Sequence, residues 1–102
     1  MKNTNNISNS ELSETVESRE LFLYATNNRE TYNLVIPVIN NLKKHYKKGY
    51  YNAEKAIKSY YRIAHYASNL YFRDFGYKFS VTDKKLCALR MENFYFDQVS
   101  ED

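Results

Sequence analysis

The sequence predicts an all-α fold, a small four-helix bundle-like domain whose second helix is kinked or split at Pro37. The chain has 102 residues, which is enough for one domain. Its only glycines are Gly49 and Gly76, and Pro37 is its only proline. A sheet protein with many tight turns needs more of both residues, so their scarcity favours a few long helices. Apolar residues also recur at helical spacing through most of the chain.

The domain organisation is predicted from composition at the two ends of the chain. Residues 1–10 are rich in Asn and Ser and predict a disordered tail. Residues 11–99 form a single helical domain, and residues 100–102 a frayed C-terminus. The start of the chain lacks an apolar signal region, and no apolar run approaches the ~20 residues of a membrane span. We therefore expect an intracellular protein that does not contact a membrane.

The first helix is expected near residues 11–26. Glu11, Glu14 and Glu17 would place carboxylates in its early turns, where the helix dipole favours negative charge.

The second helix is expected to run to about Lys48, after a start at which Asn27 and Glu30 have the spacing of a capping box. Pro37 lies inside this stretch, removes one backbone donor and crowds the carbonyl four residues back. This is why we expect a kink or a split there. Helical spacing is met by the apolar residues Val35, Ile39, Leu42 and Tyr46.

The third helix, near residues 52–75, has the clearest pattern. Gly49 is expected to end the second helix in a left-handed conformation, and Asn52 to cap the third. The third helix has an apolar face wide enough to contact all the others. Its main stripe consists of Ala53, Ala56, Tyr60, Ile63, Ala67 and Leu70, and a neighbouring stripe consists of Ile57, Tyr61, Ala64, Tyr71 and Phe75.

The fourth helix is expected to begin at Ser80, after Gly76 closes the third. Asp83 completes a capping-box-like pair with Ser80. The helix has a broad apolar face made of Leu86, Cys87, Leu89, Met91, Phe94, Tyr95, Phe96 and Val99.

Positive charge is concentrated in the middle of the chain. Residues 43–90 carry twelve basic and three acidic side chains, whereas both flanking segments are acidic. Cations neutralise phosphates, and aromatic rings interleaved with them stack on unpaired bases. The same charges would steer the protein to an acidic protein surface. The candidate residues for binding a partner or a nucleic acid are Lys43, Lys44, Lys47, Lys48, Tyr50, Tyr51, Lys55, Lys58 and Arg62.

The ten lysines and five arginines of the chain leave a simpler alternative open. Specific phosphate clamps and base contacts rely on arginine, so a lysine-rich surface is also what a merely solvated face would carry.

Two stretches resemble a family of small tailed-bacteriophage proteins. They are residues 48–58, which read KGYYNAEKAIK, and residues 75–81, which read FGYKFSV. The resemblance extends over about residues 18–98. It implies a phage source, a helical fold and a location in the host cytoplasm. The family has no assigned activity, so the resemblance transfers no site.

Catalytic and metal chemistry find little support in the sequence. His45 and His65 are the only histidines and Cys87 is the only cysteine, whereas a structural zinc site needs four ligands. Two glycines cannot form a glycine-rich phosphate loop. We therefore expect no enzyme, no metal and no cofactor.

These observations leave three functional interpretations. The first is a non-enzymatic phage accessory protein that binds a host protein or nucleoprotein complex, as a host-takeover or anti-defence inhibitor such as an anti-CRISPR. The second is a DNA- or RNA-binding module that uses the basic, Tyr-rich surface of residues 43–62. The third is a self-associating protein, a homodimer, that pairs through the broad apolar faces of its third and fourth helices.

Overall fold

The structure, a computed structural model, describes residues 14–101, and in this range the chain forms four helices and no strand. This confirms the predicted all-α, four-helix fold. The tail expected over residues 1–10 lies outside the described residues. No helix in the described range is both long enough and apolar enough to cross a membrane. The helices are α1 (Val16–Asn27), α2 (Arg29–Lys47), α3 (Ala53–Phe75) and α4 (Val81–Val99).

Helix α1 begins later than the expected start near residue 11. Thr15 is extended, its hydroxyl accepts a hydrogen bond from the Ser18 backbone N–H at 2.9 Å, and the Ser18 hydroxyl accepts one from Thr15. This reciprocal capping box fixes the helix start at Val16. Glu14 therefore precedes the helix, and Glu17 is the acidic residue of its first turn. Glu11 lies outside the described residues.

The joint between α1 and α2 is a single residue, Asn28, and the predicted cap at Asn27 is wrong. The Asn28 side chain accepts from the Thr31 N–H at 3.2 Å, whereas Asn27 belongs to α1 and donates to the Leu23 carbonyl. The buried Thr31 hydroxyl also donates to the Ala25 carbonyl at 2.7 Å, across the joint. These bonds fix where one helix stops and the next begins.

Helix α2 continues without interruption through Pro37, so of the two expected forms the split does not occur. Pro37 and Asn33, the residue four positions before it, are both exposed. The carbonyl that loses its helical partner to Pro37 therefore lies on the solvent side, where water can hydrogen-bond to it.

The joint between α2 and α3 is a Schellman motif at Gly49. The Gly49 N–H donates to the Tyr46 carbonyl at 3.1 Å, and the Tyr50 N–H donates to the His45 carbonyl at 3.0 Å. Gly49 has a φ of 84°, as the predicted left-handed helix end requires. Asn52 then caps α3 by accepting from the Lys55 N–H at 3.0 Å, as predicted.

The joint between α3 and α4 also follows the prediction. Gly76 ends α3 with a φ of 75°, and Ser80 and Asp83 form a capping box at the start of α4.

Helix α3 contacts each of the other three helices, as predicted, but every other pair of helices is also in contact, so α3 holds no unique central place. Its apolar residues are mostly buried or half-buried, but Ala53, Phe72 and Phe75 are exposed. In α4 the predicted face is too wide, because Leu89 and Phe94 are exposed. The buried stripe of α4 instead repeats every four residues, at Cys87, Met91, Tyr95 and Val99.

One buried carboxylate connects two helix starts. Asp83 is 8% exposed, accepts a hydrogen bond from the Thr15 hydroxyl at 2.9 Å, and accepts a second from the Ser80 N–H at 3.4 Å. Helix N-termini favour negative charge, so Asp83 stabilises the ends of α1 and α4 together.

Replacing Asp83 with alanine is expected to lower the free energy of unfolding by about 2 kcal/mol, because a charged acceptor shared by two helix caps is lost. Urea denaturation measures this difference. Asp97→Ala is the matched control, since Asp97 is exposed near the end of α4 and its loss should leave stability unchanged or slightly higher. Equal stability of the two variants would contradict the role given to Asp83.

Candidate binding surface

The predicted cations lie on the last turns of α2, in the Gly49 joint and on the first half of α3. Lys43 is half-buried and the other six are exposed. Within residues 14–101 the ion pairs involve Arg73 and Arg90, and none involves these seven side chains. Their charge is therefore not neutralised by carboxylates of the described chain. We call this set the basic surface: Lys43, Lys44, Lys47, Lys48, Lys55, Lys58 and Arg62.

The two predicted tyrosines have different environments. Tyr50 is 56% exposed, and its ring lies 5.1 Å from that of His45. Tyr51 is half-buried, and its hydroxyl donates to the Glu92 carboxylate at 2.6 Å. Its ring lies 5.4 Å from that of Phe96. Tyr51 thus connects the Gly49 joint to α4, whereas Tyr50 presents its ring to solvent.

The Tyr51 hydroxyl is held in its neutral, donating form. Burial, and after it the hydrogen bond to the Glu92 carboxylate, raises the pKa of Tyr51 well above its ordinary value. Burial likewise raises the pKa of Tyr60, and that of Tyr95 to about 12. The rings of Tyr60 and Tyr95 stack inside the bundle at 5.8 Å, and neither hydroxyl has a hydrogen-bond partner among the described residues.

A groove of about 540 Å³ lies between α3 and α4. Its floor is apolar, made of Ile57 and Tyr61 from α3 and of Leu89 from α4. Three cations border the floor, and no acidic residue lines it. They are Lys58, Arg62 and Lys85.

Only part of the predicted site meets at this groove. Lys58 and Arg62 line it, whereas Lys43, Lys44, Lys47 and Lys48 lie at the end of α2. Lys55, one turn before Lys58, connects the two groups along α3. Glu92, the partner of Tyr51, lies three residues after Leu89 on α4, so the Gly49 joint and the groove adjoin each other.

The sequence prediction missed four groove residues, Ile57, Tyr61, Lys85 and Leu89. Three of them are apolar and were assigned to buried helix faces. Their spacing could have revealed them. Ile57 and Tyr61 are four residues apart, as are Lys85 and Leu89, so each pair shares one face of its helix.

The residue types that could perform chemistry have other contacts. Cys87 is buried, and burial raises the pKa of its thiol to about 12, so it stays protonated and a weak nucleophile. His65 is exposed, and its Nδ1 lies 3.0 Å from Nζ of the buried Lys84. Among the described residues no three His, Cys, Asp or Glu side chains cluster as metal ligands would.

Comparisons with protein-family models, with curated proteins and with solved structures give no match for this chain. The resemblance to small phage proteins therefore stays a prediction, and the function has to be argued from the residues and their geometry.

The raised pKa values predict a loss of stability in alkaline solution. The unfolded chain releases protons near the ordinary pKa of 9.0 for the thiol and 10.0 for tyrosine, whereas the folded chain retains them. The folded state therefore binds more protons above about pH 9, and the free energy of unfolding falls as the pH rises. Urea denaturation at a series of pH values measures this decline.

Tyr51→Phe should make the decline shallower, since it removes one of the groups that retain its proton. Stability that is constant or rising between pH 9 and 11 would contradict this assignment.

Proposed function

We propose that the protein is a non-enzymatic binding protein that docks its basic surface onto an acidic face of a partner protein or nucleoprotein complex. One observation carries this proposal. The seven cations of the basic surface form no ion pair with the described chain, and two of them, Lys58 and Arg62, border a groove whose floor is apolar. Charge complementarity of this kind speeds association and selects acidic partners.

The apolar floor of the groove favours a protein partner. Leu89 is 42% exposed, and Ile57 and Tyr61 beside it are half-buried. Binding energy at protein interfaces concentrates where apolar or aromatic anchors fill such depressions and a polar rim surrounds them. Phosphate groups would pair with the cations but would not bury the apolar floor of the groove.

The expected phage source makes a host protein or host nucleoprotein complex the proposed partner. A small protein without catalytic groups acts by occupying a surface in stoichiometric amounts. Inhibition of a host function is therefore the proposed outcome, with an anti-defence role such as an anti-CRISPR as its concrete form. A location in the host cytoplasm follows from the same expectation.

Tyr50 supports nucleic-acid binding as a second candidate function. Its ring is exposed, it follows Lys47 and Lys48 closely in the sequence, and exposed rings among cations stack on unpaired bases. The Tyr51 ring packs against Phe96, so Tyr50 alone of the predicted pair offers its face.

Charge reversal tests the first function. Lys44→Glu, Lys47→Glu and Lys48→Glu, combined in one variant, should weaken capture of the partner from host lysate by about tenfold or more, because all three side chains are exposed and carry the field toward the partner. Affinity pull-down with quantified recovery at several salt concentrations measures it.

The matched control variant combines Arg19→Glu, Arg29→Glu and Lys78→Glu, which are exposed elsewhere and make the same change in net charge. An equal loss of partner capture in both variants would mean that net charge alone causes the effect. Failure of the native protein to recover any stoichiometric host protein would eliminate the proposed function.

A mobility-shift titration with oligothymidine and with duplex DNA tests the second function. Direct nucleic-acid binding predicts a linear fall of log affinity with log salt concentration, together with weaker binding of Tyr50→Ala to the single strand. Absence of any shift at low salt would eliminate this candidate.

A further inference from the structure

We propose that the groove between α3 and α4 is the anchor point of the interface, and that its occupant is a short acidic segment of a partner protein with one or two large apolar side chains. This inference rests on the proposed function, because it names the part of the partner that the protein recognises. Three properties of the groove support it, namely its apolar floor, its cationic rim and its rigidity.

The floor requires apolar groups from the occupant. Ile57 and Tyr61 stand one turn apart on α3, and Leu89 faces them from α4. The groove volume of about 540 Å³ lies within the range of roughly 300–1,000 Å³ that is typical of binding sites. Leucine-sized or phenylalanine-sized side chains seated there would remove this surface from water.

The rim requires negative charge from the occupant. Lys58, Arg62 and Lys85 surround the floor, and none of them forms an ion pair within residues 14–101. An uncharged or basic segment that covered the floor would take these cations out of water without giving them a partner, which is costly. Carboxylates on both sides of the apolar anchors avoid this cost.

Two other occupants fit less well. A second copy of the chain that docked groove to groove would bring two cationic rims together, and like charges repel. A nucleic acid would supply anions for the rim but no aliphatic group for the floor. An acidic peptide segment satisfies both parts of the groove.

The groove is preorganised for binding. Its walls are the interior turns of two helices whose starts are capped at Asn52 and Ser80. The hydrogen bond between Tyr51 and Glu92 holds the neighbouring joint against α4. A site on such rigid elements loses little conformational entropy when an occupant binds.

The test selects binders from a yeast-displayed library of random peptides about 12 residues long, with the full chain immobilised as the target. We expect the enriched peptides to combine Asp or Glu with Leu, Ile or Phe. Fluorescence anisotropy of a labelled, enriched peptide should then show affinities about tenfold or more weaker for Leu89→Glu and for Lys85→Glu.

Two matched controls use equivalent exposed residues away from the groove. Leu34 on α2 is 40% exposed, close to the value for Leu89, and Lys78 is exposed between α3 and α4. Leu34→Glu and Lys78→Glu should bind the peptide as the native protein does. All four substitutions are at exposed positions, and equal thermal melting by circular dichroism verifies that each variant folds.

Three results would overturn the inference. The first is a selection that enriches no acidic, apolar peptides, or one that enriches peptides whose binding Leu89→Glu does not weaken. The second is a dimer in light scattering that Leu89→Glu abolishes, which assigns the groove to a second copy. The third is oligothymidine binding that Leu89→Glu abolishes, which assigns it to nucleic acid.

These failures differ from a failure of the proposed function. If the groove variants capture the host partner normally while reversal of Lys44, Lys47 and Lys48 abolishes capture, the groove is not the anchor but the docking function stands.

Discussion

The close approach of the other helices to α3 is the constraint on which the rest of the structure depends. Ala56, Ala64 and Ala67 of α3 are completely buried, and so is Ala88 on the facing helix α4. Side chains this small let backbones pack closely, whereas larger ones would force the helices apart. Helices α3 and α4, which form the two walls of the groove, make the most extensive contact of the described bundle.

Tyrosine has two distinct uses around this core. Tyr60 and Tyr95 place stacked rings inside the bundle, where they contribute apolar surface. Tyr51 keeps its ring among other aromatic residues and uses its hydroxyl to join a loop to Glu92. Aromatic residues fill the interior and pack at the joints, and the lysines of α2 and α3 lie at the surface. The bundle thus separates residues that stabilise it from residues available to a partner.

Most features that depend on local chemistry could be predicted from the sequence, although the cap of α2 was assigned to Asn27 and lies at Asn28. Gly49, Gly76, Asn52 and the Ser80–Asp83 pair all act through hydrogen bonds or backbone angles within a few residues. The start of α1 could not be predicted, because Thr15 is selected among several nearby polar residues partly by its distant contact with Asp83.

The candidate site was also predicted from features along the sequence, and this prediction found only part of the groove. Positive charge along the chain pointed to Lys58 and Arg62, which line the groove, but not to Lys85, which lines it too. Hydrophobic periodicity identifies the apolar stripe of a helix, but it does not show which side of that stripe a neighbouring helix covers. Leu89 was therefore assigned to the buried face, although α3 and α4 leave it at a surface groove.

The Gly49 joint has a consequence for the proposed docking of this protein on a partner. The cations on either side of it belong to two different helices, and their relative placement is set by one left-handed residue and the bonds around it. An isolated peptide of residues 43–62 would carry the same charges without this arrangement. A partner that docked on these cations, as proposed, would recognise a conformational epitope, which exists only while the bundle is folded and is lost when it unfolds.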